Sequence, residues 1–499
     1  GNFWTMQIFP SYFFLTFFRK RCNLLKVKSK GRKKNNLFDS YQFFPPSHSV
    51  PLHDFSSPDF KHYEMIHQES LKKRLAKLAA PIFIETLLIM MLGAVDTIML
   101  SRHSDSSVAA VGVVNQIIML TFLIFEVINL GTSVLCSQYL GARLQKKVVQ
   151  VVGVSILVNI VIGVSVSLFL FSCAGPILRL MGLTPELMTD GMDYMRIVGA
   201  FAFFQAISLT LSASLRSANK AIYPMLVTVV VNILNIIGNY SLIFGRFGFP
   251  ELGVEGAAIS TAFSRGVSMV LLFIILFRKH IHRFPVAYFR PFPWPELKNL
   301  MKVGLPSAGE QLSYSSSQVV ITFFINMLGV EALATRTYCV NIIMFAYLFS
   351  IAMAQGGAIC IGHLIGEGKP HAAFLMGKYV MKKSVMITVI LSTVLAVFGN
   401  TIFHWLTSNE EIIRLGTTIL IIDVILEIGR PINIFATNAL RAAGDVNRFT
   451  SDWWFSGALP SGWDTSSVFL WNGASVVCGL PSCWMKTSGE PSSYDAGIA

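Results

Sequence analysis

Charge is scarce in this chain. Only 13% of its 499 residues are Asp, Glu, Lys or Arg, against about 25% in ordinary soluble domains. Acids are scarcer still, 27 against 40 basic residues. A chain so poor in charge cannot cover a water-facing surface of its own size, which excludes a string of three or so soluble domains. The seven cysteines never fall at zinc-ligand spacing. Cys136, Cys173, Cys339 and Cys360 lie in or beside apolar stretches, where they act as small hydrophobes; Cys478 and Cys483 are too isolated to indicate a metal or a disulfide. No Walker loop, Rossmann glycine pattern, HExxH or nucleophile elbow occurs. Nucleotide-driven pumping and the common hydrolytic and redox chemistries drop out, so neither an enzyme nor a cofactor is expected.

Apolar length is what the chain has instead. Mean hydropathy is +0.59 with 53% hydrophobic residues, and a bilayer core of roughly 30 Å takes about 20 apolar residues per helix. Ten such stretches occur, near 82–100, 110–136, 148–172, 194–214, 222–245, 253–277, 303–328, 338–361, 384–406 and 412–438. Basic residues gather on alternate connections: Lys72–Lys77, Arg143–Lys147, Arg216–Lys220 and Arg278–Arg290. The positive-inside rule puts these, and the N-terminus, in the cytoplasm of a multi-pass plasma-membrane protein. The net charge of +13 is then a topological signal. Scattered over short loops, it forms no patch for nucleic acid.

The chain also repeats itself at a constant offset of 225 residues. Lys73 meets Lys298, Pro81 meets Pro306, Glu85 meets Glu310, Gly131 meets Gly356, Gly141 meets Gly366, and Leu215-Arg216 meets Leu440-Arg441. A period this long describes two whole lobes, with the working site between them. Six spans separate Pro81 from Pro306, an even number, so the lobes are parallel repeats about an axis along the membrane normal. The fold expected is an all-α membrane protein of two pseudo-symmetric bundles: an N-lobe over 65–285 with six helices, and a C-lobe over 286–445 with four recognisable ones. Residues 1–64 read as a disordered or non-native extension, with Met65 the expected start. The register places counterparts of spans five and six at about 447–470 and 478–499. There, 446–499 instead holds five of the eight tryptophans and no apolar run near 18 residues, the mark of a shifted reading frame.

Within the spans each charge costs several kcal/mol and is a functional candidate. Glu85 and Asp96 on span one are three turns apart and face one way, with Asp96 in the outer half. Asn232, Asn235 and Asn239 give span five a polar face, either a site or interhelical glue. Asp423, Glu427 and Arg430 share a face of span ten, where Glu427 can simply pair with Arg430. Glu126 and Glu310 have no evident local partner. Pro81 and Pro306 read as helix-start residues, Pro431 as a kink within span ten, and Gly131, Gly141 and their repeat partners as points of close helix packing.

These stretches resemble the multidrug and toxic compound extrusion (MATE) family. The matching segments are AVDTIML at 94–100, VAAVGVVNQI at 108–117, NLGTSVLCSQYLGA at 129–142, ASLRSANK at 213–220, GVEGAAIS at 253–260, VGLPSAGEQLSYSSSQ at 303–318 and NALRAAGD at 438–445. The resemblance covers roughly 70–445 and implies a transporter that exports bulky, often cationic, organic compounds in exchange for sodium ions or protons by rocking of two lobes. It implies a role in cation coupling for Asp96 and Asn235; Asn239, Glu85, Glu310 and Glu427 join them as candidates for the coupling site or cavity by their polarity within the spans. Pro81 and Pro431 would bend helices, and any sodium ion would sit at Asp96 and Asn235. Asn239 departs from the Asp that many relatives carry, and Arg430 stands where some carry a tenth-helix Asp. The expected partners are a small cationic substrate and the lipid bilayer, with the chain working as a monomer. Two other readings remain: a lipid-linked oligosaccharide flippase of the same two-lobed plan, and an inactive truncated product.

Overall fold

The computed structural model describes residues 58–281, 285–327 and 329–444. Among them fourteen α-helices and one 3-10 turn follow each other. The N-lobe holds α1 (Pro58–Ser101), α2 (Asp105–Gly141), α3 (Gln145–Ser172), α4 (Ala174–Leu180), α5 (Pro185–Ala200), α6 (Ala202–Ser217), α7 (Ile222–Ile243) and α8 (Gly253–Lys279). A 3-10 turn, Val286–Phe289, leads to the C-lobe: α9 (Trp294–Asn326), α10 (Val330–Gly366), α11 (Pro370–Val397), α12 (Gly399–Leu406), α13 (Glu410–Leu426) and α14 (Arg430–Ala442). It is an all-α membrane protein built as two pseudo-symmetric bundles.

The repeat is visible in the helix ends. Shifted by 225, α2 and α3 fall on α10 and α11 at both boundaries, α1 and α9 end at equivalent residues, and α4, α5 and α6 correspond to α12, α13 and α14. The turns agree as well. Positive φ occurs at Arg143 (58°) and Gly368 (72°), and at Asn219 (59°) and Gly444 (82°), each pair 225 apart. The left-handed conformation costs glycine nothing but is uncommon for other residues. The turn geometry has therefore outlasted its glycine in the first repeat. The counterparts of α7 and α8, and with them the 446–499 tail, lie outside the described residues, as do residues 1–57; α1 begins at Pro58, within the expected extension.

Three details differ from the sequence reading. Of ten expected spans, seven single helices are long and apolar enough to cross a membrane, and α5 with α6, bent by 45°, makes an eighth. In α9 the run Gln311–Gln318, with four serines, lowers the apolarity, and span ten is divided into α13 and α14. Secondly, Pro81 and Pro306 lie inside α1 and α9 and do not start them, because helix continues upstream through the amphipathic Lys- and Leu-bearing turns. Each removes one backbone hydrogen bond from a long helix. Thirdly, Pro431 does not kink a continuous helix. The helix stops at Leu426 and a new one begins at Arg430, with Pro431 in its first turn, where the missing N–H costs nothing.

The lobes meet at the end of the bundle that carries the basic loops. There, α2 packs on α9 and α10, and α1 on α10. A Cβ on Gly131 would lie 2.8 Å from the Leu300 carbonyl oxygen, and one on Gly356 3.2 Å from the Ala79 nitrogen. Gly141 lies against the His363 backbone, and Gly366 against the Gln138 backbone. The last two contacts are images of each other under the repeat, so a pseudo-dyad runs between them and the interface is self-complementary. Its hydrogen bonds obey the same axis: Gln138 Nε2 donates to the Ala442 carbonyl (2.8 Å), and His363 Nε2 meets the Ser217 carbonyl (2.6 Å). Small residues let helix backbones approach where lipid supplies no hydrophobic drive. This is the close packing expected of Gly131, Gly141 and their partners.

Candidate functional site

The polar face of α7 is used along its whole length. Asn232 donates to the Leu88 carbonyl (2.8 Å), tying α7 to α1 as interhelical glue. One turn on, Asn235 and Asn239 are almost fully buried. Gly238 leaves room for Ser260 of α8, whose hydroxyl donates to the Asn235 carbonyl at 3.0 Å. Asn239 Nδ2 donates to Asp96 Oδ1 at 2.7 Å and to Asn235 Oδ1 at 3.1 Å. Asn235 Nδ2 faces Thr261 Oγ1 at 3.4 Å. The three residues singled out from sequence thus converge: a carboxylate on α1, two amides on α7 and a hydroxyl on α8 form one connected chain.

Two members, Thr261 and Arg265, were not anticipated. Arg265, one turn beyond Thr261 on the same face of α8, holds its guanidinium 5.4 Å from the centre of the Phe122 ring. It lies within electrostatic reach of Asp96 and of Tyr194 on α5. The signal was present in the sequence, an arginine midway along the 253–277 span. Its partners, on α2 and α5, were not legible there.

Glu85 and Asp96 take different partners. Glu85 Oε1 is held by Arg216 Nη2 at 2.9 Å, and Arg216 Nη1 reaches Gln355 of the other lobe at 3.4 Å. In the C-lobe Glu310 pairs with Arg441. The two ion pairs are one contact written twice, since Glu85 and Glu310, and Arg216 and Arg441, are repeat equivalents. Glu310 therefore has a partner after all, and Glu126 accepts from Asn129 Nδ2 at 2.8 Å. Both partners were missed because they lie on another helix or within the same turn. For Glu310, the repeat alignment already set a Glu and an Arg at matching positions in both halves.

At the α13–α14 break, Arg430 Nη2 donates to Asp423 Oδ1 at 2.7 Å, and Nη1 to Glu427. Ser392 Oγ adds a bond to Asp423 Oδ2 at 3.2 Å. Asp423 and Glu427 are buried, so this is an ion cluster holding a broken helix together. Arg336 is likewise held by Thr322 Oγ1 (2.6 Å) and Gln318 Oε1 (2.9 Å). A groove of about 470 Å³ beside it, lined by Gln318, Thr322, Phe323, Asn326 and Leu333, shares no residue with the Asp96 chain. The acids within the bundles are thus largely matched by arginines.

Two apolar lobes hinged at one end, each with buried charges facing a common seam, define a polytopic membrane transporter. The MatE family profile matches the chain at residues 81–241 and again at 306–450, starting 225 residues apart, and the chain belongs to this family. It is 40% identical over 372 residues to the uncharacterized transporter YisQ of Bacillus subtilis, covering 74% of this chain and 82% of the relative. It is 26% identical over 377 residues to the probable multidrug resistance protein NorM of Thermotoga maritima, covering 75% and 81%. In fold it is similar to a mutant of the Vibrio cholerae MATE transporter VcmN, with TM-score 0.73 at 19% identity over 83% of this chain and 96% of that one.

Proposed function

We propose that this transporter is a cation-coupled antiporter that exports small organic, chiefly cationic, compounds across the plasma membrane, with a sodium ion or a proton moving the other way. The observation that carries the reading is the Asp96–Asn239–Asn235–Thr261 chain, an acid held by amides among apolar helices. A carboxylate in that setting gains by binding a cation, and substrate and ion can then take turns on it. On the positive-inside rule the end closed by the lobe contacts faces the cytoplasm, which supports a cytoplasmic N-terminus. Rocking about the glycine contacts would expose Asp96 to the other side. Both lobes belong to one chain, which supports a monomer, and the domains follow the repeat: an N-lobe to 285 and a C-lobe from 286. Glu85, Glu310 and Glu427 serve this cycle as ion-paired supports of the cavity wall, and Pro81 as the weak point at which α1 bends.

The test is gradient-driven efflux from vesicles containing Asp96→Asn. Coupled export is expected to vanish while the protein still inserts and purifies as a single species. Undiminished coupled export from that variant would refute the role of Asp96. Transport of lipid-linked oligosaccharide in place of organic cations would instead favour a flippase.

A further inference from the structure

Among the described residues every half-buried arginine except one donates to a side-chain oxygen: Arg74 to Asn219, Arg216 to Glu85, Arg430 to Asp423 and Glu427, Arg441 to Glu310, Arg336 to Gln318 and Thr322. Arg265 differs. Among the described residues it forms no ion pair, and its Nη1 is a buried donor without a partner. The Phe122 ring is its contact. A guanidinium nitrogen buried without a hydrogen bond is costly, and a ring face offsets only part of that cost. In the same network Asn239 Oδ1 is a buried acceptor without a partner. One unpartnered donor, on Arg265, and one unpartnered acceptor, on Asn239, thus remain in this part of the N-lobe.

The placement of Arg265 does not depend on charge arguments. Asp96, Asn239, Asn235 and Thr261 are linked by successive hydrogen bonds, and Arg265 follows Thr261 by four residues on the same helical face, where side chains are about 6 Å apart. From there its positive charge bears on Asp96, and charges act on each other more strongly in a low-dielectric interior than in water.

We infer that Arg265 is a tethered counter-cation to Asp96, a specificity-determining residue that weakens the exchange site's hold on the coupling cation and so lets the cation leave. With the site empty, Asp96 and Arg265 neutralise each other. A second cation arriving at Asp96 makes the pocket net positive, and the repulsion limits its residence. Without Arg265, Asp96 would hold its cation tightly and release it slowly. The inference rests on the role of Asp96 proposed above, and its test separates the two.

The full chain is reconstituted in liposomes, and efflux is followed against the concentration of sodium and, separately, of protons. In Arg265→Gln the concentration of the driving cation at half-maximal rate is expected to fall at least tenfold. The maximal rate should also fall, and Arg265→Lys should stay near the parent protein on both measures. A half-saturation that is unchanged or raised in Arg265→Gln overturns the inference. Should that variant fail to fold, Arg265→Cys is compared after reaction with a cationic and with a neutral thiol reagent. Only the cationic adduct should restore the parent half-saturation, and equal behaviour of the two adducts overturns the inference. Asp96→Asn is run alongside. If it remains coupled, the proposed function itself falls; if coupling is lost while Arg265→Gln moves nothing, only the counter-cation falls.

Discussion

Replacing Gly141 and Gly366 by alanine together is expected to open the basic end of the molecule. Each position faces backbone of the opposite lobe: Gly141 the His363 peptide and Gly366 the Gln138 peptide. A methyl group on either would fall well inside van der Waals contact with main-chain atoms, which have no rotamer by which to yield. The lobes must separate, and separation also strains the Gln138–Ala442 and His363–Ser217 bonds at 2.8 and 2.6 Å. Overpacking of this kind costs about 1–3 kcal/mol, and each hydrogen bond contributes about 1 kcal/mol net. A bias of about 3 kcal/mol against the closed end changes a two-state ratio by roughly 150-fold. The assay is a spin-label distance measurement between α2 and α10 near residues 141 and 366 in the double variant. The expected result is a second, longer distance population that dominates. If the double variant keeps a single short distance and parent-like transport, the glycines do not form the seal and the reasoning fails.

Other outcomes follow from the same geometry. Glu85→Gln leaves Arg216 buried without its carboxylate and should cost about 3 kcal/mol of stability, read as a lowered thermal transition in detergent; Glu310→Gln, whose parent side chain is 23% exposed, should cost less. His363→Gln supplies the side chain of the repeat-equivalent Gln138 and should keep the bond to Ser217, whereas His363→Ala should shift the lobes toward opening about fivefold, for a loss of about 1 kcal/mol, in a cysteine-accessibility assay at the basic end. Pro81→Ala restores a hydrogen bond within α1 and is expected to slow transport without loss of substrate binding, measured by stopped-flow efflux beside equilibrium binding.

Much of this architecture could be read from the letters, because membrane helices and a tandem repeat are both written in long-range periodicity. The offset linking Lys73 to Lys298 foretold helix ends that agree to the residue in α2/α10 and α3/α11. Asp96, Asn235 and Asn239 were legible as a group, since two of them are stacked one turn apart and polarity is rare in such a chain. What escaped was decided by contacts between helices. Glu310 looked solitary until α14 brought Arg441 to it. Arg265 went unweighed because its place depends on α2, α5 and α8 converging, which no spacing within one helix reveals. The stop before Pro431 was misplaced for a third reason. A proline can end a helix at the residues before it as readily as bend one, and pattern alone does not decide between the two.

The two dyad-related bonds at the basic end also bear on leakage. Since Gln138 and His363 reach symmetric carbonyls across one axis, a tilt that stretches one stretches the other, so that end opens as a whole or stays shut. A barrier that fails only in unison leaves no half-parted crevice through which solvent or stray ions could slip between strokes, and an exchanger that must not dissipate the gradient it lives on needs that property.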